Sequence, residues 1–165
     1  MLLPAEIRIR SIQPTDNAAL AIIVRSSLAE FGANKPGTVY YDPTTDDLFQ
    51  LFQTSGSFYF VAEENKQLLG GAGIFPSAGL HNGVCELVKM YLHKDARGKG
   101  LGRLLIDKCL QEAKILGYKS VYLETMPELG KAVGIYEKFG FRYLTGPMGN
   151  TGHFGCDVWM IKDLV

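Results

Sequence analysis

The sequence predicts a single α+β domain built around a mixed β-sheet. Alternating segments typical of strands and amphipathic segments typical of helices follow one another in the order β-α-α-β-β-β-α-β-α-β-β, which places hairpins beside crossover connections. The composition, 47% hydrophobic and 21% charged over 165 residues, is typical of a globular domain large enough to bury its own core. Because no internal repeat, low-complexity tract or linker divides the chain, we expect residues 1–165 to form one domain.

The first half of the chain supplies a strand, two helices and a hairpin. Isoleucines alternate with arginines near the start, and the segment 14–16, Pro-Thr-Asp, then provides helix-starting chemistry. A long loop follows the first helix, and a compact polar link over 64–66 joins two apolar runs as in a hairpin. The predicted elements are a strand over 6–12, a helix over 18–31, a loop over 32–43, a short helix over 46–53, and strands over 57–63 and 67–75.

The second half contains a long amphipathic helix between two strands. Its apolar stripe faces a sheet, and Gly117 stands where a C-terminal helix glycine belongs. The stripe consists of Leu101, Leu105, Cys109, Ala113 and Leu116. The predicted elements are strands over 84–92, 120–125, 141–145 and 157–162, and helices over 100–116 and 129–139.

The most specific motif is the turn Arg97-Gly98-Lys99-Gly100-Leu101-Gly102, between the strand over 84–92 and the following helix. Its glycines let backbone N–H groups approach a ligand closely, and a helix start presents unpaired N–H groups with partial positive charge. With the basic side chains of Arg97, Lys99 and Arg103 alongside, the turn favours a phosphate-bearing ligand. The spacing does not fit a P-loop, and a dinucleotide-binding G-x-G-x-x-G would need glycine at Arg103.

Charge and residue spacing exclude several classes of protein. The 17 basic and 17 acidic residues cancel, which argues against general attraction to nucleic acid or membrane surfaces. No apolar run approaches the roughly 18 residues of a membrane span, and the opening MLLPAEIRIR does not resemble a signal peptide, so we expect a cytoplasmic protein. Neither cysteines nor histidines show disulfide or metal-ligand spacing, so we expect free thiols and no metal. These residues are Cys85, Cys109, Cys156, His81, His93 and His153.

Two motifs together resemble the GNAT superfamily of N-acetyltransferases. Arg97-x-x-Gly100-x-Gly102, between a strand and a helix, matches the acetyl-CoA motif of that family. Ala132-x-x-x-Tyr136-Glu137-Lys138-x-Gly140-Phe141 is similar to its A-x-x-x-Y-x-x-x-G-F segment. The resemblance covers nearly the whole chain. It implies a mixed, mostly antiparallel sheet of about seven strands flanked by about four helices and splayed at the cofactor strand.

The resemblance also implies how acetyl-CoA binds as the acetyl donor. The pyrophosphate lies on the backbone amides of the turn, and the pantetheine arm runs beside the strand that precedes it. A bulge in that strand makes its side-chain alternation unreliable. Many members carry an asparagine seven residues before the tyrosine, but this chain has Leu129 there, so we assign that position no cofactor role. The implied cofactor-binding residues are Met90, Tyr91, Leu92, Arg97, Gly98, Lys99, Gly100, Leu101, Gly102, Arg103 and Tyr136.

For catalysis, the resemblance implies direct attack by a substrate amine, aided by a general base and a general acid. Tyr136 occupies the position that faces the thioester sulfur and is the candidate acid; the alternative is a core tyrosine. Glu86 is the favoured base and Glu124 the second candidate, because carboxylates on apolar strands are costly unless paired or exposed to a cavity. Alternatively, Glu86 faces solvent or pairs with Lys89, and Glu124 is a strand-end charge. A backbone N–H near Met90 is the expected oxyanion donor.

The acceptor is not predicted beyond a primary amine, either on a small molecule or on a protein. The loop between the last two strands supplies Asn150, Thr151, His153 and Cys156 as candidate pocket residues; a rigid glycine-rich loop explains them equally. The acidic residues 42, 46 and 47 attract a cationic acceptor or serve as loop and cap charges. The alternatives to an enzyme are a non-catalytic acyl-CoA-binding module and a protein-interaction module. We expect no nucleic-acid or membrane partner, and the final strands allow a homodimer.

Overall fold

Seven strands form one sheet in the order β1-β2-β3-β4-β5-β7-β6 in the computed structural model, which describes residues 7–164. Within that range, β4 and β5 are parallel and the other neighbouring pairs are antiparallel, which confirms the predicted mixed, mostly antiparallel sheet. The strands are β1 Ile7–Ser11, β2 Phe58–Glu64, β3 Gln67–Phe75, β4 Val84–Leu92, β5 Ser120–Thr125, β6 Arg142–Leu144 and β7 Val158–Asp163. The helices are α1 Asn17–Glu30, α2 Leu48–Leu51, α3 Leu101–Ile115 and α4 Gly130–Lys138.

Most predicted boundaries agree with the structure, but two expectations are wrong. The short helix over 46–53 contracts to α2, because 3₁₀ turns occupy Val39–Tyr41 and Pro43–Asp46 just before it. Leu116 does not belong to the buried stripe of α3: it is 43% exposed because the helix ends at Ile115 and the chain turns at Gly117, where φ is +90°. Residue 6 of the predicted first strand lies outside the described residues. No helix within 7–164 has both the length and the apolar character needed to cross a membrane.

Helices cover both faces of the sheet. Tyr59 of β2 shares a core with Leu20 of α1 and Leu48 of α2. Ala62 of the same strand packs in a second core with Leu105 of α3. Because strand residues of opposite parity point to opposite faces, α1 and α2 lie on one face and α3 on the other.

A β-bulge changes the side-chain alternation within β4. Two residues of β4, Lys89 and Met90, lie opposite Ala72 of β3 alone. Lys89 adopts φ +51°, an uncommon angle for a residue with a side chain, and its carbonyl oxygen accepts a 2.8 Å hydrogen bond from the buried Tyr59 hydroxyl. Leu87 before the bulge and Met90 within it both pack on the α3 face, although simple alternation would separate them.

The sheet opens between β4 and β5. Their parallel pairing begins at Val84 and Ser120 and ends at Glu86 and Tyr122, while β5 continues its pairing with β7 along its whole length. The rest of β4, residues 87–92, therefore diverges from β5, which confirms the predicted splay. The gap leaves space for a ligand in the middle of the sheet.

Candidate active site

A cavity of about 740 Å³ occupies the gap between β4 and β5. It is lined from the α3 face by the glycine-rich turn and α4, and from the α1 face by carboxylates of β4 and β5. The structure thus brings together every predicted catalytic and cofactor-binding residue except Lys99, which is exposed and does not line the cavity. Those that line it are Glu86, Met90, Tyr91, Leu92, Arg97, Gly98, Gly100, Leu101, Gly102, Arg103, Glu124 and Tyr136.

The glycine-rich turn lines the cavity directly before the start of a helix. Gly98 and Gly100 both have φ +77°, a conformation that strongly favours glycine, and α3 begins immediately after them at Leu101. The first N–H groups of a helix have no partner within the helix and carry partial positive charge. A side chain at Gly98 would meet open space, so the approach to the turn is clear. These features fit the phosphate groups of a coenzyme.

The side chain of Arg97 joins the turn to α1. Its guanidinium donates to Glu30 at 2.7 Å and to the carbonyl oxygen of Leu92 at 3.2 Å, and it lies 4.9 Å from the centre of the Phe31 ring. The guanidinium therefore fixes the position of the turn. The backbone of Arg97 is its most direct means of contacting a ligand.

Among the residues that the structure describes, the buried carboxylate of Glu86 has one hydrogen-bond partner. The residue is 3% exposed, and its Oε1 accepts a 2.5 Å hydrogen bond from the Ser77 hydroxyl. The interpretations of Glu86 as solvent-facing or as the partner of Lys89 are therefore wrong, since Lys89 pairs with Asp42. Burial, together with the negative charge of Glu124, raises the pKa of Glu86 from 4.5 to about 7, although the Ser77 hydrogen bond acts in the opposite direction.

Glu124 already accepts hydrogen bonds at both oxygens. Its Oε2 accepts from the Tyr122 hydroxyl at 2.7 Å, and its Oε1 accepts from the hydroxyl of Thr151. The Tyr122 oxygen in turn accepts from the backbone N–H of Met148 at 3.0 Å. The side chain of Glu124 is 4% exposed, so the interpretation as a strand-end surface charge is wrong.

Asp42 contacts two side chains that line the cavity, those of Lys89 and His153. Its Oδ2 lies 3.3 Å from Lys89 Nζ and 3.1 Å from His153 Nε2, and the other His153 nitrogen lies 3.7 Å from Glu124 Oε1. Burial alone would raise the pKa of Asp42, but His153, Lys89 and Thr44 together lower it well below its ordinary range. Burial lowers the pKa of Lys89, partly offset by Asp42. The contacts of Asp42 link the segment between the two 3₁₀ turns to β4 and to the loop before β7.

Sequence reasoning did not identify Lys89 or Ser77 as site residues. Lys89 faces Asp42 because of the bulge in β4. Predicting this contact would have required the exact position of the bulge, which no sequence pattern gives. Of the three acidic candidates, only Asp42 reaches the site: Asp46 pairs with Arg25 at 2.6 Å, and Asp47 precedes α2. Of the four candidate residues of the last loop, His153 and Cys156 line the cavity, Thr151 bonds Glu124, and the Asn150 backbone bonds the 76–83 loop.

Tyr136 lies both in the core and on the cavity wall. It is 7% exposed and packs edge-on against Phe141, with ring centres 5.9 Å apart. Burial raises the pKa of its phenol, so the hydroxyl keeps its proton at neutral pH and is available as a donor. Leu129, to which we assigned no cofactor role, also lines the cavity and offers it an apolar side chain.

Glu86, Glu124 and His153 place one donor atom each within 4.8 Å of one another. These are residue types that bind metals. Hydrogen bonds from Ser77, Tyr122 and Thr151 already hold the two carboxylates, so the cluster has a structural explanation that requires no ion. The absence of a metal stays a prediction.

We predict that Glu86→Gln changes the pH dependence of stability. Because the folded protein binds the Glu86 proton more tightly than the unfolded chain does, the free energy of unfolding should fall as pH rises from about 4.5 to about 7. Glutamine lacks this proton, so the variant should gain up to about 3 kcal/mol relative to wild type at pH 8 compared with pH 4.5. Urea unfolding of both proteins at the two pH values measures the difference. A variant whose relative stability is the same at both would contradict the pKa.

Comparison with known proteins agrees with this geometry. Residues 24–141 match the model of the acetyltransferase (GNAT) family. The chain is 39% identical over 157 residues to the uncharacterized N-acetyltransferase YjgM of Escherichia coli K12, covering 94% of this chain and 93% of that one. Among solved structures, an acetyltransferase of the GNAT family from Staphylococcus aureus Mu50 superposes with a TM-score of 0.83 at 22% identity, covering 96% of this chain and 99% of that chain. The Salmonella typhimurium protein yncA, solved with its cofactor acetyl-CoA, superposes with a TM-score of 0.71 at 21% identity, covering 97% and 95%. The chain therefore belongs to the GNAT family and is an acyltransferase.

Proposed function

We propose that the protein transfers an acetyl group from acetyl-CoA to a primary amine by direct attack, with general base and general acid assistance. The observation that carries this proposal is one cavity that joins the start of α3 to Glu86 and Tyr136. A phosphate-binding turn, a buried base and a buried phenol are the groups that the reaction needs. Enzymatic relatives favour this function over a non-catalytic module.

The donor side is the part formed by the turn and by β4 beyond Glu86. The N–H groups over residues 97–103 would hold the pyrophosphate, and the diverging backbone near Met90 and Leu92 would pair with the pantetheine arm. When bound, acetyl-CoA supplies an activated thioester carbonyl in the gap. A cavity of about 740 Å³ lies within the range of small-molecule sites.

Glu86 is the base that the site supports best. A primary amine is largely protonated at neutral pH and must lose a proton before it can attack. Glu86, with a pKa of about 7, is matched to that task, and its second oxygen remains available while Ser77 holds the first. Both oxygens of Glu124 accept hydrogen bonds, so Glu124 is better suited to orienting the amine and His153.

Two hydrogen-bond donors would stabilise the negative charges that develop on the carbonyl oxygen and on the departing sulfur. The bulge distinguishes Met90 from the regular ladder of β4, and we assign its backbone N–H to the developing oxyanion. The Tyr136 hydroxyl, held protonated by burial, would give its proton to the departing thiolate sulfur. Each group thus acts on a different atom of the reacting centre.

We also propose that residues 1–165 act as one domain in the cytoplasm. The single sheet that runs from β1 to β7 supports the first point. Three free cysteines, Cys85, Cys109 and Cys156, support a reducing compartment. The homodimer stays a prediction.

Glu86→Gln should remove the ionisation near pH 7 from the rate profile. In the wild type, kcat/KM for an amine should rise with pH as Glu86 loses its proton and level off above about 7. The variant should lose about 100-fold or more at pH 8, whereas Glu124→Gln should lose about ten-fold or less and keep the ionisation. Thiol release across about pH 5.5–9 measures all three proteins. The opposite ranking would assign the base to Glu124.

Tyr136→Phe should slow turnover without weakening coenzyme binding. The substitution removes only the hydroxyl, so kcat should fall by about 100-fold or more while the Kd for coenzyme A changes less than about three-fold. Tyr143→Phe is the matched control, because that tyrosine is 55% exposed on β6 and outside the cavity. Calorimetry and thiol release separate the two effects. Equal turnover by the Tyr136→Phe variant and the wild-type enzyme would refute the role of acid.

A further inference from the structure

The loop over 145–157, between β6 and β7, borders the side of the cavity that contains Glu86 and Glu124, which we call the acceptor side. We refer to this segment as the acceptor loop. It is glycine-rich and lacks helix or strand, yet it is fastened to three separate parts of the protein. These three sets of contacts, called fastenings below, determine which acceptor molecules can reach Glu86 from outside.

The first fastening joins the acceptor loop to the segment after α1. The backbone N–H of Gly155 donates to the carbonyl oxygen of Gly37 at 2.8 Å. A Cβ atom on Gly155 would lie 2.6 Å from the carbonyl oxygen of Pro36, closer than packed atoms tolerate. The backbones at Gly155 and at Pro36-Gly37 are therefore in direct contact, with space only for glycine at residue 155. We call this contact the seam.

The second fastening joins the acceptor loop to the loop before β4. The backbone N–H of Asn150 donates to the carbonyl oxygen of Ala78 at 2.7 Å. Gly149 has φ +74°, and a Cβ atom there would lie 2.8 Å from the same oxygen. Backbone packs against backbone here too, which leaves no space for a Cβ atom at residue 149.

The third fastening is made by side chains inside the site. Thr151 donates to Glu124, and His153 Nε2 lies 3.1 Å from Asp42 Oδ2. As a result Glu86 is 3% exposed, and the side chains of Glu124 and His153 are 4% and 13% exposed. Within residues 7–164, Glu86 is therefore shielded from the outer surface and lines the cavity.

We propose that the acceptor is a free small-molecule amine, and that the acceptor loop excludes amines carried on peptides and proteins. This inference rests on the proposed function, under which the coenzyme fills the donor side of the cavity. The space left beside Glu86 is bounded by the acceptor loop and the 32–47 segment. An amine extended by a polypeptide would have to break the seam at Gly155, whereas a compact amine fits beneath it.

The test compares each free amine with a peptide that carries the same amine. Acetyl-CoA is offered with a panel of amino acids, diamines and amino sugars, and each active amino acid is paired with a tripeptide that begins with it. Thiol release gives kcat/KM, and mass spectrometry scores acetylation of a folded protein mixture. We expect kcat/KM for each tripeptide to be at least about ten-fold lower than for its free counterpart, and no protein acetylation above the background without enzyme.

Gly155→Ala tests the role of the seam. The added methyl group should displace the acceptor loop from Pro36 and raise the ratio of tripeptide to free-amine kcat/KM by about five-fold. Gly146→Ala is the matched control, since a Cβ atom there meets nothing within 4 Å and the position has no left-handed φ. The control should leave the ratio unchanged. If Gly155→Ala does not fold, the wild-type comparison decides alone.

The outcomes separate this inference from the proposed function. Wild-type turnover of tripeptides or proteins equal to that of free amines would overturn the inference and leave the acetyltransferase proposal intact. An unchanged ratio in folded Gly155→Ala would also overturn it. Thiol release from no amine and no peptide, despite measured coenzyme A binding, would overturn the proposed function and the inference together.

Discussion

The divergence of β4 from β5 after Glu86 is the constraint on which the rest of the site depends. A continuous sheet would satisfy the backbone groups of both strands and leave no interior space. The bulge at Lys89, whose carbonyl oxygen accepts a hydrogen bond from the Tyr59 hydroxyl, lies in the part of β4 that has left β5, while β5 stays paired with β7. The loss of β4–β5 pairing after Glu86 leaves the space for the cavity, and the bulge places Met90 on the α3 face.

Several buried ionisable side chains line this cavity or lie beside it. Their different surroundings give them different roles. The pKa of Asp42 is low because His153 and Lys89 both lie against its carboxylate. Glu86 has a single neutral donor, Ser77, and a carboxylate neighbour, so its charged form is unfavourable. A carboxylate in that position lowers stability above neutral pH, which is a known cost of a poised base.

The fold was largely predictable from the sequence, because the stripe of α3 and the glycines that end α3 and α4 encode local structure directly. The turn over 97–102 and Tyr136 could also be predicted from the sequence, since backbone conformation and spacing limit the residue types at these positions. The pairing of Lys89 with Asp42 and the hydrogen bond from Ser77 to Glu86 could not be predicted. Asp42 and Lys89 are 47 residues apart and meet only after the bulge and the flanking 3₁₀ turns have formed. Leu116 shows the converse, a periodic position that the helix end leaves in solvent.

The most direct test of the account is a crystal structure with acetyl-CoA bound. It should show the pyrophosphate on the amides over residues 97–103, and the thioester carbonyl oxygen about 3 Å from the Met90 N–H. The sulfur should lie within hydrogen-bond reach of the Tyr136 hydroxyl, and Glu86 should face the carbonyl carbon across the remaining space. A thioester bound outside the gap between β4 and β5, or turned away from Glu86 and Tyr136, would contradict the account.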